Sequence, residues 1–212
     1  MGQYKVCVYA ICKNEEKFVD GWMDSMGEAD LVVVLDTGST DDTVERLKKR
    51  GAQVTVELIS PWRFDVARNR SLDLVSEDTD ICVCTDLDEV FHPGCGRRWR
   101  RPGRTGPPSG LPLYLELQRR RLRGTVFWIE KIHARRGYRW THPVHEVLER
   151  QEAGTGAEVH SGGGAVGPPR RPRQSRGQYL PLLELSVAEA PEDDRNTHYL
   201  GREYLFYGRW DD

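Results

Sequence analysis

Blocks of apolar and polar residues succeed one another along residues 4 to 91. Tyr4 to Cys12 is apolar and β-rich, and Asn14-Glu15-Glu16 then opens a helical stretch to about Met26. The unbroken apolar run Leu31-Val32-Val33-Val34-Leu35 predicts a strand buried on both faces, as in a parallel sheet. It ends at Asp36-Thr37-Gly38-Ser39-Thr40. A helical period through Val44, Leu47 and Lys48 follows until Gly51, with Ser39 or Thr40 the expected N-cap and Asp41 and Asp42 in the first turn. Gln53 to Ile59 reads as a third strand, Val66 to Val75 as a third helix and Asp80 to Thr85 as a fourth strand. This alternation predicts an α/β fold, a mostly parallel sheet flanked by helices on both faces. Sites in such sheets lie beyond the C-terminal strand ends, where Asp36 and Asp86 fall.

The pattern then changes. Cys95 to Gly124 is rich in Arg, broken by Pro102, Pro107, Pro108 and Pro112, with Glu116 its one acid. Thr125 to Arg135 reads as a strand, with Tyr138-Arg139-Trp140 as its expected hairpin partner. A second irregular stretch spans about Gln151 to Arg173, and helical patterns return at Gln178 to Ala190 and Asn196 to Tyr207. The expected organisation is an α/β domain over 1–149, with 95–124 an insert-like segment. A linker over 150–177 and a short α-helical extension over 178–212 follow. Arg, Gly and Pro bias of this kind is what GC-rich DNA yields in a shifted reading frame, and translating the coding DNA in its other frames tests that origin.

Composition narrows the function. Among 212 residues, Lys+Arg 31 against Asp+Glu 33 gives a formal charge of -2, so no global field draws nucleic acid or anionic lipid. The arginine cluster has Trp99 as its one interleaved aromatic before Tyr114 and no groove-reading element, which argues against a nucleic-acid partner. The N-terminal stretch lacks a secretory pattern, Val6 stands where myristoylation expects Ser or Thr, and no apolar run nears the roughly 18 residues of a membrane helix. Four of five cysteines lie in apolar, strand-like stretches, which suits buried thiols in a reducing cytoplasm. The one-residue spacer between Cys82 and Cys84 does not suit a zinc knuckle.

Asp86-Leu87-Asp88-Glu89 carries the most telling chemistry. Two carboxylates one position apart at a strand end can hold a divalent cation on a diphosphate and offset the charge that grows as it leaves. A carboxylate at Asp36 can accept from a base N–H or a ribose hydroxyl, while Gly38 permits the tight turn. The competing reading of each is a solvated acidic turn or a helix cap.

Four segments, Ile11-Cys12-Lys13-Asn14-Glu15-Glu16, Asp36 to Thr43, Ala67-Arg68-Asn69-Arg70 and Thr85-Asp86-Leu87-Asp88-Glu89, resemble in order and spacing the family 2 inverting glycosyltransferases of GT-A (Rossmann-like) fold. The resemblance covers about residues 4 to 94 and again 125 to 149. It implies that Asp36 contacts the nucleotide, that Asn14 and Glu15 line its pocket, and that Arg68 lies near it. It also implies that Asp86 and Asp88 bind Mn2+ or Mg2+ with the diphosphate. Trp140-Thr141-His142-Pro143-Val144-His145-Glu146 is similar to a segment of the bacterial members. His145 is a candidate metal ligand or phosphate contact there and Glu146 a candidate base, with Glu89 the second candidate. Alternatively Trp140 packs the core while His142 and His145 sit on a solvated edge. The C-terminal Asn196 to Asp212 looks like the start of a tetratricopeptide repeat, or is a plain amphipathic helix, and the C-terminal helices over 178–212 are a candidate face for a peripheral membrane or protein partner.

The expected activity is inverting transfer of a sugar from a nucleoside-diphosphate donor, UDP-linked by resemblance, to a glycan or other hydroxyl acceptor. A non-catalytic nucleotide-sugar binder with a disrupted acceptor half is the alternative. A nucleotidyltransferase is disfavoured because Ile11 to Glu16 lacks a Gly-rich phosphate loop.

Overall fold

The computed structural model describes residues 4–91, 93–94, 113–119, 128–151, 159–167 and 176–209. Four strands, β1 (Val6–Cys12), β2 (Leu31–Asp36), β3 (Gln53–Val56) and β4 (Ile81–Cys84), pair in parallel. Helices α1 (Glu16–Ser25), α2 (Thr43–Lys49) and α3 (Phe64–Asp73) connect them. The sheet continues through β5 (Val90–Phe91), β6 (Leu113–Arg119), β7 (Trp128–Ala134) and β10 (Val159–Gly167), in the order β3-β2-β1-β4-β7-β6-β10-β5. β7 runs antiparallel to β4. A separate hairpin joins β8 (Tyr138–Thr141) to β9 (Val147–Arg150), and α4 (Tyr179–Glu189) and α5 (Asp194–Tyr207) close the chain. This is the Rossmann-like α/β arrangement expected of a GT-A-type domain, with C-terminal helices.

The strand period of two sorts the core. Val6, Val8, Ala10, Ile81 and Val83 pack on one face with Trp22 of α1 and Leu47 of α2. Cys7, Tyr9, Cys82 and Cys84 face the other way, toward Leu72 of α3 and Tyr138, Trp140 and Leu148 of the hairpin. The four cysteines are buried and free, as expected for thiols behaving as small apolar side chains. Cys95 lies outside the described residues. On the second face a chain of hydrogen bonds is buried with them. Trp140 Nε1 donates to Tyr9 Oη at 2.8 Å, and Tyr9 Oη lies 2.8 Å from His133 Nε2. His133 Nδ1 lies 2.8 Å from the Ala134 carbonyl, which assigns the proton to Nδ1 and leaves Nε2 as acceptor.

Several local expectations shift. α2 starts at Thr43 with Asp42 at its N-cap, not Ser39 or Thr40; just ahead of it the Asp41 carboxylate accepts from the Thr43 amide at 3.0 Å in a local turn. α3 starts at Phe64, two residues earlier than expected. β8 pairs with β9 and not with β7. The reason is Asn69 of α3: its side chain accepts from the Trp140 amide at 2.9 Å and donates to the Trp140 carbonyl at 2.8 Å, occupying that strand edge. β6 and β10 fall within the two stretches that the pattern leaves irregular; the remainder of those stretches lies outside the described residues.

α5 is capped at both ends, by Asp193 accepting from the Arg195 and Asn196 amides and by Gly208 in the left-handed conformation. With α4 it buries Leu182, Leu183 and Leu200 against Val144, with Trp62, Phe64 and Tyr179 around them. The pair therefore docks on the loops at one end of the sheet. Among the described residues, no helix is long and apolar enough to cross a membrane.

Candidate functional site

The C-terminal ends of β1, β2 and β4 open into a cleft of about 870 Å³. Lys13 to Glu15 follow β1, Thr37 follows β2, and Asp86 to Asp88 follow β4. Trp62, Phe64, Val144, His145, Glu146 and Tyr179 form the facing wall.

Two buried cations grip Asp86. Arg68 Nη2 donates to Asp86 Oδ1 at 2.6 Å and its Nε donates to Glu146 Oε1 at 3.1 Å. Lys131 Nζ donates to both oxygens of Glu89, at 2.7 and 2.6 Å, and reaches Asp86 Oδ2 at 3.5 Å. Desolvation opposes the charge on Arg68, but Asp86 and Glu146 outweigh it and hold the guanidinium above its ordinary pKa. The same balance, with Asp86 and Glu89 as the anions, raises the Lys131 ammonium. Both cations therefore stay protonated. Glu89 is 7% exposed and also accepts from the Asp86 amide at 3.0 Å, so it braces the turn from below.

The loop after β2 is closed on itself. Asp36 is fully buried, and its carboxylate accepts from the amides of Gly38 and Ser39 at 3.0 and 2.8 Å, from the Ser39 hydroxyl, and from Cys12 Sγ at 3.3 Å. Burial, with Asp36 adding to it, pushes the Cys12 thiol pKa up, so the thiol is a donor here. Gly38 takes φ +106, and a Cβ there would meet Leu58 Cδ2 at 2.5 Å. Asn14, with φ 55, ties the first loop to the second: its Oδ1 accepts from the Thr40 amide at 2.7 Å and its amide donates to Ser39 Oγ at 2.8 Å. The Glu15 amide donates to Thr43 Oγ1 at 2.8 Å.

The turn between β8 and β9 carries His145 and Glu146. His142 and His145 have φ 72 and φ 54, a left-handed conformation that non-glycine residues adopt at a cost of about 1–3 kcal/mol each. Helix α5 holds both. Arg195 Nη1 donates to the His145 carbonyl at 2.8 Å, and Asn196 Nδ2 lies 2.7 Å from His142 Nδ1. His142 Nε2 approaches Asp193 Oδ2 at 3.3 Å. The His145 ring stacks on Tyr199 at 4.2 Å and faces Tyr179 at 5.9 Å. Burial, helped by Arg202 and Arg195, lowers its pKa and keeps the imidazole neutral.

Seven of the nine residues singled out from sequence, Asn14, Glu15, Arg68, Asp86, Asp88, His145 and Glu146, line this one cleft; Asp36 and Glu89 do not. Trp140 packs the core, and His142 is bonded to α5 rather than placed on a solvated edge. Sequence reading missed Lys131, whose signal was a lysine set between Ile129 and Ile132 in the strand Trp128 to Ala134. It also missed Trp62 and Tyr179, which carry no polar motif. Asp86 and Asp88 offer hard oxygen donors one residue apart, a set that suits Mg2+ or Mn2+ shared with a diphosphate. Among the described residues, no three His, Cys, Asp or Glu side chains are grouped to hold an ion alone. His145 thus does not join the two aspartates in a preassembled cluster of this kind.

Fold and site together define an α/β protein with a carboxylate-rich cleft at the strand ends. No protein-family model and no curated protein sequence matches the chain. Among solved structures it is similar to glucosyl-3-phosphoglycerate synthase from Mycobacterium tuberculosis in complex with Mg2+ and UDP, at 30% identity and TM-score 0.43. That match covers 56% of this chain and 44% of the synthase, so the chain spans less than half the length of that protein. The synthase complex with Mn2+, UDP-glucose and phosphoglyceric acid matches at the same identity and TM-score. A mycobacterial protein is similar at 20% identity and TM-score 0.55, over 81% of this chain and 69% of its own, a likeness of fold.

Proposed function

We propose that the chain carries the donor site of a metal-dependent glycosyltransferase, which moves a sugar from a nucleoside-diphosphate donor, UDP-linked, to an acceptor hydroxyl with inversion. One observation carries this reading: Arg68 joins the strand-end carboxylate Asp86 to the candidate base Glu146 within a single cleft. Charge-bearing groups for the two ends of a transfer, leaving group and nucleophile, are thereby set side by side.

Asp86 and Asp88 would hold Mn2+ or Mg2+ beside the diphosphate. The ion would supply positive charge against the leaving group. Lys13, Asn14, Glu15 and Thr37 line the nucleotide end, and Arg68 adds a fixed cation near the phosphates. Glu146, oriented by Arg68, accepts the proton of the acceptor hydroxyl as it attacks the anomeric carbon. Glu89, sealed under Lys131, braces the aspartate turn. Asp36 supports the nucleotide end by holding its loop closed, and reaching a base or ribose would require releasing its own loop amides.

A second reading has its own observation. Lys131 and Arg68 approach both oxygens of Asp86 and neutralise it without an ion, which suits a nucleotide-sugar binder that does not turn over. Calorimetry of UDP with and without Mn2+, run beside donor hydrolysis, separates the two. The transferase predicts Mn2+-strengthened UDP binding together with slow hydrolysis of UDP-glucose. Binding without hydrolysis selects the binder, and the absence of both removes the donor-site reading.

A further inference from the structure

Resting on the transferase reading, we propose that the wall facing the carboxylates is an acceptor platform for a neutral sugar ring. Four rings from three parts of the chain make a ladder along it. Trp62 and Phe64 meet edge to face at 5.1 Å, Phe64 and Tyr179 lie 6.3 Å apart with planes within 5°, and Tyr179 faces His145 at 5.9 Å and 16°. All four line the cleft and are partly exposed to it. His145 is the neighbour in sequence of Glu146, so the ladder ends beside the group that would take the acceptor's proton.

The chemistry of this wall selects its occupant. An aromatic face is negative and an edge positive, and the C–H groups on one side of a pyranose carry partial positive charge that suits such a face. An anionic acceptor needs a cation that is not already engaged. Two cations occur among the described lining residues. Lys13 stands at the β1 end with the nucleotide loop, and Arg68 is engaged by Asp86 and Glu146. Arg63, next to Trp62, is paired with Asp65 and Glu189. Arg195 and Arg202 lie over the ring of Tyr199, at 5.1 and 4.7 Å, beyond His145. Glu146 repels an anion at the point where it would react. Val144, Leu58 and Ile59 complete an apolar surround. The described residues of the wall thus fit an uncharged ring with hydroxyls at its rim, and none of them is a cation that could hold a small phosphorylated acid.

Initial rates of UDP release test this, with the full chain, Mn2+ and UDP-glucose. The acceptors are the methyl glycosides of glucose, galactose, mannose and N-acetylglucosamine, and, separately, 3-phosphoglycerate. A methyl glycoside should raise UDP release saturably above donor hydrolysis, and 3-phosphoglycerate should not. Trp62→Leu and Tyr179→Leu keep an apolar side chain but remove the ring faces. Each should raise the glycoside KM about tenfold, the size of one aromatic contact, with the Kd for UDP nearly unchanged. Stimulation by 3-phosphoglycerate alone, no stimulation by any glycoside, or leucine variants with an unaltered glycoside KM each overturn the platform. If a leucine variant does not fold, the comparison of acceptors on the unaltered chain still decides. Loss of Mn2+-dependent UDP binding and of hydrolysis in the unaltered chain instead marks failure of the donor-site reading.

Discussion

Arg68 and Glu146 meet across the cleft, the guanidinium Nε donating to Glu146 Oε1 at 3.1 Å and joining α3 to the turn between β8 and β9. The same guanidinium holds Asp86, so one side chain sets the spacing of two carboxylates. Lysine at this position keeps the charge but cannot fork to both. Arg68→Lys should therefore lower kcat by roughly 10–100-fold through misorientation of Glu146. Arg68→Met should in addition lower stability by about 3 kcal/mol, since it leaves two carboxylates in one partly buried site. Steady-state kinetics and urea unfolding measure the two effects; equal kcat for Arg68→Lys and the unaltered chain would contradict the orienting role.

Glu146 and Glu89 part company on substitution. Glu146→Gln removes the proton acceptor and should cut kcat by roughly 10²–10⁴-fold with little change in UDP affinity. Glu89→Gln leaves the buried Lys131 ammonium with only its longer, 3.5 Å approach to Asp86 and should cost about 2–3 kcal/mol of stability instead. If Glu89→Gln abolishes turnover while its Tm holds, the base is Glu89.

Asp86 and Asp88 should govern the ion. Mn2+ is expected to raise the Tm of the unaltered chain in the presence of UDP by mass action. Asp88→Asn should weaken that Mn2+-dependent UDP affinity by roughly 100-fold, about 2.7 kcal/mol of binding. UDP binding that is indifferent to Mn2+ in both chains refutes the metal assignment.

His133 predicts an acid-sensitive core. Burial lowers its pKa from 6.5 to about 4. In the folded chain it stays neutral, accepting from Tyr9, whereas the unfolded chain takes up a proton below about pH 6.5. Stability from this group is thus complete above about pH 6.5 and falls as pH drops toward 4, by about 3 kcal/mol in all. Urea midpoints at pH 7 and pH 5 should show the decline, and His133→Gln should flatten it. Tyr9→Phe strands Trp140 Nε1 and His133 Nε2 together and should cost about 1–3 kcal/mol at pH 7.

The strand-end side of the cleft was legible because its signals are local. An unbroken apolar run such as Leu31 to Leu35 marks a buried parallel strand, and the acid that follows marks its end. Four such strand–loop units place Asn14, Arg68 and Asp86 without any knowledge of distant contacts. The far wall was not legible in the same way. Trp62 and Tyr179 are far apart in sequence, and only the docking of α4 brings them to one surface. Lys131 reads as an odd charge in a strand until β7 pairs with β4 and sets it under Asp86. The orientation of Asp36 was hidden for the opposite reason: Gly38 and Ser39 are so close that their amides capture the carboxylate locally.

Helix α5 clasps the His142 to Glu146 turn through Arg195 and Asn196, while α4 contributes Tyr179 to the aromatic ladder. Neither helix belongs to the sheet that delivers Asp86. On the transferase reading, the acceptor side and the donor side of the cleft are thus built by separate parts of the molecule. Exchanging this helix pair for another should then change acceptor preference while leaving UDP affinity in place.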